Sequence, residues 1–486
     1  MRCSSALSTL FFFVVLIPAL CQGQTAPRFG SMPQEAESAT RAFPPQLRSD
    51  LAQIRDAALQ DDYAYRQLEH LTDSIGPRPV GSPQADGAVH YVADELRKLG
   101  LDVHLEPVTV TRFVRGNDSA ELVEYPGQVP GTTQKIFITA LFGNSPTPEG
   151  GITGEVIVAH DFEELKALGK EKVAGKIVLW DEHYDSRKAL AGNAGAAYGE
   201  AVQYRANGAT AAAELGAIAS VVRSAGDGEV RLPHTGWSAD GKIPAAAVSA
   251  EDADLMARLA LHGPVRIHLS LPTHLGEQVQ SYNLVADLKG SEHPEQVVIV
   301  SGHLDSWDLG TGAIDDGAGV VVAMETAELI QRLHLHPKRT IRVIAWMDEE
   351  TGAPGADVYA KDHEADVANH FAAMESDMGA EHPLGFRAKI SDAAAKQLSP
   401  VQDVLEKFGA NMIEQVPDSP ETDIEPLAGK GVPVFGIWQN GLKYFTYHHT
   451  PADTFDKVVP EELRENAACM AVMGYALANM AEPLAK

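Results

Sequence analysis

The chain has 486 residues, 44% hydrophobic and 22% charged, a globular composition too long for one ordinary core, so two domains are expected. Its 67 Asp and Glu against 39 Lys and Arg give a formal charge of −28, which argues against a nucleic-acid or anionic-membrane partner.

Arg2 supplies a short positive segment, and Leu10–Leu20 form an apolar run interrupted by Pro18. Small residues continue to Ala26. This is the layout of a secretory signal, so residues 1–26 are read as a signal peptide cleaved between Cys21 and Ala26, and the product as secreted or periplasmic. The run is short for a membrane anchor, and nothing else in the chain is long and apolar enough to span a bilayer. Of the cysteines Cys3, Cys21 and Cys469, cleavage leaves only the last, hence no internal disulfide. Cys469 lies in the helix-like run ENAACMAVMGYALANM and is expected to be a buried structural thiol.

Residues 27–50, rich in Pro, Ser and Gln, read as a loose leader. Catalytic segments are expected at 51–112 and 276–486. In the first, helical signals flank a loop punctuated by Pro77, Pro79 and Pro83. Ala85–Leu99 is amphipathic with Gly100 as its stop, and LDVHLEPVTV then alternates as a strand. Residues 113–275 differ in texture. GEVIVA, GKIVLW and AIASVV are short β-branched runs between Gly-rich turns, with Ala-rich helical pieces among them. IPAAAVSAEDADLMARLA reads as a strand and a helix opened by Ser249. No cluster of potential metal ligands is evident there, and the segment reads as a separate inserted domain. Asn117-Asp118-Ser119 matches a glycosylation acceptor, relevant only in a eukaryotic host.

From Tyr282 the pattern changes again. YNLVADLKG is expected to pair as a hairpin with QVVIVSGHLDS across Gly290–Pro294. A helix over Gly317–Leu333 follows, then a strand TIRVIAWM, a helix GADVYAKDH, and strands FAAMESDMG and VPVFGIW. This alternation predicts an α/β layered sheet with helices on both faces and a site at the carboxyl ends of its strands. Five loops at such ends carry His303, Asp315, Glu349–Glu350, Asp377 and His448–His449. One such loop alone is more often structural or solvated. Five at equivalent positions point to a metal. Imidazole and carboxylate suit zinc, with manganese or cobalt as substitutes. A metal pair is held best by one shared carboxylate and two further ligands per ion, which five side chains would supply.

The order GHLDS, AIDDGAG, DEE, ESDMG, HHTPADT resembles the M28 family of co-catalytic zinc exopeptidases, and within it the plasma glutamate carboxypeptidase branch. GHLDSWDLGTGAIDDGAG and HPKRTIRVIAWMDEE are the most characteristic stretches, and the similarity spans most of the chain after the leader. The resemblance implies a three-layer zinc-exopeptidase fold, α/β with a mixed sheet, and a β-rich protease-associated domain as the insert. It implies two zinc ions: His303 and Asp377 on one, Glu350 and His449 on the other, and Asp315 bridging. It makes Glu349 the general base that takes a proton from a metal-bridging water. Asp305 would accept the far N–H of His303, and Asp316 would shape the Asp315 loop, with a cis peptide between Asp315 and Asp316. His448 stands where relatives commonly carry Tyr, giving it a plausible oxyanion role. His449 is chosen over His448 because it stands four residues before Asp453.

Short peptides or dipeptides with free termini are the expected substrates, and a homodimer is left open. His234 in RLPHTGW could reach across to cover the substrate, though such loops are more often only turns. A broad-specificity aminopeptidase of the same family is the alternative. A single-zinc glutaminyl cyclase and a receptor-like homologue without metal fit less well, because all five ligands and Glu349 are intact. The direction of attack, from the amino or the carboxyl terminus, is not legible in these residues.

Overall fold

A computed structural model describes residues 43–226, 230–239 and 241–485. The signal-peptide reading and most of the leader fall outside the described residues. The main sheet has eight strands: β1 (Asp102–Val114), β2 (His274–Leu288), β3 (His293–His303), β4 (Arg339–Trp346), β5 (His370–Glu375), β6 (Pro383–Lys389), β7 (Met412–Gln415) and β8 (Val434–Gln439). Their order across the sheet is β1-β2-β4-β3-β5-β8-β6-β7. The central four, β4, β3, β5 and β8, run parallel. Their carboxyl ends therefore share one edge.

Both faces of this core are apolar. Val298 and Val300 pack with the helices Ala318–Arg332 and Pro460–Asn479, while Val297 and Ile299 pack on the opposite side with Tyr359 and Leu427. Alternation with a period of two therefore buries both faces of β3 under helices, giving the three α/β layers that were expected. Cys469 is buried in the last of these helices. Among the described residues no helix is long and apolar enough to cross a membrane.

The expected hairpin does not form. β2 pairs with β1 and β4, and β3 pairs with β4 and β5, so β4 lies between the two segments. The reason is that β4 is apolar on both faces. Ile341 and Val343 enter one core and Ile344 and Trp346 the other, and that pattern belongs at the centre of a sheet. The leader also ends earlier than its composition suggests. Pro45–Ala58 is a helix with Pro45 in its first turn, and Leu47, Leu51, Ile54 and Ala58 form one buried stripe.

A second eight-stranded sheet is built from residues 119–270, with the helices Phe162–Val173, Ala194–Glu214 and Ala250–Ala260. The Ser249 hydroxyl accepts the Asp252 amide and caps the third of these, as its sequence suggested. This unit is tied to the loop after β3. Arg115, between β1 and this unit, donates to both oxygens of Asp308 at 2.8 Å and to the Ala140 carbonyl of the unit, also at 2.8 Å, and Trp307 packs edge-on against Phe142 of the unit.

Candidate metal centre

His303 is the last residue of β3. Its Nδ1 lies 3.0 Å from the backbone carbonyl of Asp305, which places the ring proton there and leaves Nε2 with a lone pair. Nε2 is 3.1 Å from Asp377 Oδ1 and 3.3 Å from Asp315 Oδ1. Asp305 was expected to accept the far N–H of His303, and it does so through its main-chain oxygen, while its carboxylate is 3.9 Å away. It is turned instead to the loop after β4, where it accepts the amides of Asp348 at 2.7 Å, Glu349 at 3.2 Å and Glu350 at 3.4 Å. Three converging N–H groups outcompete one imidazole, and the main-chain oxygen of the same residue serves the ring.

The Asp315–Asp316 peptide is cis. Asp316 uses one oxygen for the His303 amide at 3.0 Å and the other for the Gly319 amide at 2.9 Å, joining the end of β3 to the start of the next helix. Two residues not assigned site roles from the sequence brace the same loop. Asp453 accepts the amides of Ala313 and Ile314, both at 2.8 Å. Arg78, fully buried, donates to the carbonyls of Leu304, Thr311 and Gly312.

On the far side of Asp315, His449 Nε2 is 2.9 Å from Glu350 Oε2 and 3.2 Å from Asp315 Oδ2. Its Nδ1 lies 3.1 Å from the carbonyl of Thr235, a residue of the inserted unit. His448 stacks on His449 at 3.5 Å between ring centroids, with its Nε2 3.6 Å from Asp315 Oδ2. Its buried Nδ1 makes no hydrogen bond among the described residues.

These distances suit a metal pair. Asp315 turns one oxygen to His303 and the other to His449, so two ligand groups share one carboxylate. Nitrogen-to-oxygen spacings of 2.9–3.3 Å approach the edge of a tetrahedron whose metal–ligand bonds are about 2.0–2.1 Å. The buried Asp315 Oδ2 and Glu350 Oε1 make no hydrogen bond. Among the described ion pairs, Asp305, Asp315 and Asp377 face only histidine, as does Glu350. Burial pushes Asp316 and Glu349 well above the usual carboxylate range, and both are raised further by Asp377, against the pull of His303. Burial works the same way on Asp315, yet the surrounding histidines hold it well below that range. Such concentrated negative charge is relieved by a bound cation.

The cluster opens on a cleft of about 480 Å³ lined by Asp315, Glu349, Glu350, Asp377, His448 and His449. The inserted unit adds Tyr198, Arg205 and Trp237, and the segment Ser419–Glu425 closes the wall with Glu421. None of these four was singled out from the sequence. Trp237 belongs to the RLPHTGW loop, but His234 does not reach the substrate side. It is buried, donates its amide to the Ser224 hydroxyl at 2.9 Å, and does not line the cleft. Burial lowers its pKa to about 3, with His449 and Arg205 adding to the effect. The inserted unit also brings ligand atoms of Asp181, His183 and Asp254 within 4.8 Å of one another, a grouping unseen in the sequence because Asp254 lies far from the other two. Arg223 already fills it, donating to Asp181 at 3.1 Å and to Asp254 at 2.6 Å.

Comparison with known proteins places this geometry. Peptidase family M28 matches residues 283–473, which hold every expected ligand. Carboxypeptidase Q of Homo sapiens is 35% identical over 98% of this chain and 98% of its own length. The crystal structure of a peptidase M28 precursor from Shewanella amazonensis SB2B superposes with a TM-score of 0.84 at 36% identity, covering 91% of this chain and 98% of that one. A zinc aminopeptidase from Bacillus subtilis shares the fold at a TM-score of 0.63 and 20% identity, covering 87% of this chain and 98% of its own.

Proposed function

The chain belongs to peptidase family M28, and from that premise we propose that it is a co-catalytic dizinc exopeptidase acting on short peptides or dipeptides. The observation that carries the reading is the division of Asp315 between two ligand groups, Oδ1 toward His303 and Oδ2 toward His449. In this reading His303 and Asp377 hold one ion, Glu350 and His449 the other, and Asp315 both. The ions supply Lewis acidity, which acidifies water and polarises the scissile carbonyl.

The remaining work falls to the chain. Glu349 lines the same cleft as Asp315, Glu350, Asp377 and His449 and is left without a metal in this assignment. Its raised proton affinity suits a general base that takes the proton of the attacking water and returns it to the leaving amine. His448 lines the cleft with its Nε2 3.6 Å from Asp315 Oδ2, and in this reading its ring supports the oxyanion. Asp305 fixes the backbone of Glu349 and Glu350, and Thr235 fixes the tautomer of His449. We read residues 113–275 as a protease-associated insert that shapes the cleft and residues 1–26 as an export signal.

Metal analysis on the purified protein tests the reading. About two zinc ions per chain are expected, as a shared-carboxylate pair requires. Asp315→Ala should lose both or nearly both. Retention of two ions at normal affinity by that variant would contradict the shared role.

A further inference from the structure

His449 is held differently from His303. His303 is oriented from within its own sheet, by the Asp305 carbonyl at Nδ1 and by the Asp316 carboxylate at its amide. His449 has a φ of 61°, in the left-handed region, which a residue with a side chain keeps only where its surroundings hold it. What holds it is Thr235 of the inserted unit. The Thr235 amide donates to the His449 carbonyl at 2.9 Å, and the Thr235 carbonyl lies 3.1 Å from His449 Nδ1. One fully buried residue thus grips both the main chain and the ring. With a metal on Nε2 the ring proton sits on Nδ1 and goes to that carbonyl. Arg205 Nη1, 3.2 Å from the same nitrogen, is itself a donor and cannot accept it.

Thr235 is fixed in turn by Arg115, which stands between β1 and the inserted unit. Arg115 Nη2 donates to the Thr235 hydroxyl at 3.0 Å, and that hydroxyl donates to the Ala140 carbonyl at 3.1 Å. Nη1 reaches the Thr139 hydroxyl at 2.7 Å, the Ala140 carbonyl at 2.8 Å and Asp118 at 3.2 Å. Nε and Nη2 take the two oxygens of Asp308, each at 2.8 Å. Every nitrogen of this half-buried guanidinium is engaged. Asp308 follows Trp307, whose ring meets the His449 ring edge-on at 5.6 Å between centroids. Two groups packed on His449 therefore lead back to one side chain, Thr235 through its hydroxyl and Trp307 through the next residue.

We propose that Arg115 is a positioning residue for the metal site formed by Glu350 and His449, and that docking of the inserted unit is a condition for tight binding of that ion. The inference rests on the dizinc reading above and adds that the unit completes one of the two sites. The two-pronged contact with Asp308 fixes the unit against the loop after β3, and the remaining donors hold Thr235 against His449. Without them the ring loses its fixed tautomer and the left-handed backbone loses its clamp. His303 and Asp377 make no hydrogen bond to the unit among the described residues, so the ion between them should be spared.

The test is competition of the purified protein with a graded zinc chelator, read as zinc retained per chain, beside thermal unfolding. The wild type should hold two ions. In Arg115→Met one ion should weaken by roughly 10–100-fold, the range for a lost partner of a metal-bound histidine, while the other keeps its wild-type affinity. Arg115→Lys, which keeps the charge but not the fork, should recover only part of the loss. Thr235→Val removes the hydroxyl and keeps both backbone contacts, so it should fold as the wild type does and show a smaller loss of the same kind. Turnover of Arg115→Met should return toward the wild-type value as zinc is raised.

A His449→Ala background identifies the site. One ion remains there, and adding Arg115→Met should leave its affinity unchanged. A further loss in that background would overturn the proposal. So would a lower unfolding midpoint in Arg115→Met with both zinc affinities intact, which is the mark of a purely structural arginine, or an equal weakening of both ions. A wild type that holds only one zinc would remove the dizinc reading and this role with it.

Discussion

The carboxylate of Asp305 accepts the backbone amide of Asp348 at 2.7 Å, across the edge where β3 and β4 end side by side. The same carboxylate takes the amides of Glu349 and Glu350, so one buried side chain sets the backbone of two neighbouring glutamates for which different duties are proposed. Asp305→Ala leaves those donors unpaired, at about 1–3 kcal/mol for each that stays buried. Thermal unfolding should show a clear drop in midpoint, and zinc affinity and turnover should fall with it. Asp305→Asn, which keeps one acceptor oxygen, should lie between. Unchanged stability and metal affinity in the alanine variant would show that the loop holds itself.

The two adjacent histidines should separate cleanly. His449 is 2.9 Å from Glu350 and is oriented by Thr235, whereas His448 stands 3.6 Å from Asp315 and touches no second carboxylate in the cluster. His449→Ala should strip one metal site, seen as a fall toward one zinc per chain. His448→Ala should keep its zinc and lose turnover. The reverse pattern would move the ligand assignment by one residue.

Sequence and structure agree where the chemistry is local and part where it is not. His303, Asp315, Glu350, Asp377 and His449 were expected to converge because each lies at or beyond the end of one of the parallel strands, and parallel strands bring such loops to one edge. The pairing of β2 was not legible, because turn residues at Gly290–Pro294 signal a reversal of the chain but not which strand will lie alongside. The strand that intervenes begins only at Arg339, beyond β3 and the helix that follows it. The second role of Asp305 was not legible for a related reason. Its side chain answers to the amides of residues 348–350, and the backbone of a loop after another strand has no signature in the sequence. Arg205 and Trp237 lie in a unit in which no metal-ligand pattern was read from the sequence, and only folding brings them to the wall of the metal cleft. Arg78 looked like part of a proline-rich loop, yet it is fully buried among carbonyls that no motif marks.

Stability should depend on pH through Glu325, away from the metal cluster. This residue is 1% exposed in the helix Ala318–Arg332 and accepts the Ala64 amide at 2.9 Å. Burial, aided by Asp61 and Glu328, raises its pKa from 4.5 to about 8. The folded state therefore prefers the protonated acid. Its contribution is fully present below the unfolded pKa of 4.5 and is lost as pH rises toward 8, by an amount of order a few kcal/mol. Glu325→Gln cannot ionise, so its stability relative to wild type should increase between pH 5 and pH 8. Denaturant unfolding at both values measures this, and a difference that stays constant with pH would mean that Glu325 is ionised in the fold.

Glu349 and Glu350 give the sharpest test of the chemistry, because they are adjacent and nearly isosteric changes should affect them differently. Glu350 Oε2 meets His449 at 2.9 Å, and its other oxygen is buried without a hydrogen bond. An amide is a poor zinc ligand, so Glu350→Gln should lose zinc affinity and activity together. Glu349 lines the cleft and is assigned no ion. Glu349→Gln keeps the shape and hydrogen-bonding reach but cannot take a proton from water. Its fold and zinc content should remain those of the wild type. Turnover should fall by at least the roughly 10²–10⁴-fold expected for a lost general base, with substrate binding little changed. Zinc per chain and peptide hydrolysis, measured on both variants, then distinguish an inactive protein with its metal from one without. An active Glu349→Gln enzyme would exclude this residue as the base and return the search to the other carboxylates of the cleft, Glu421 and Glu425 among them.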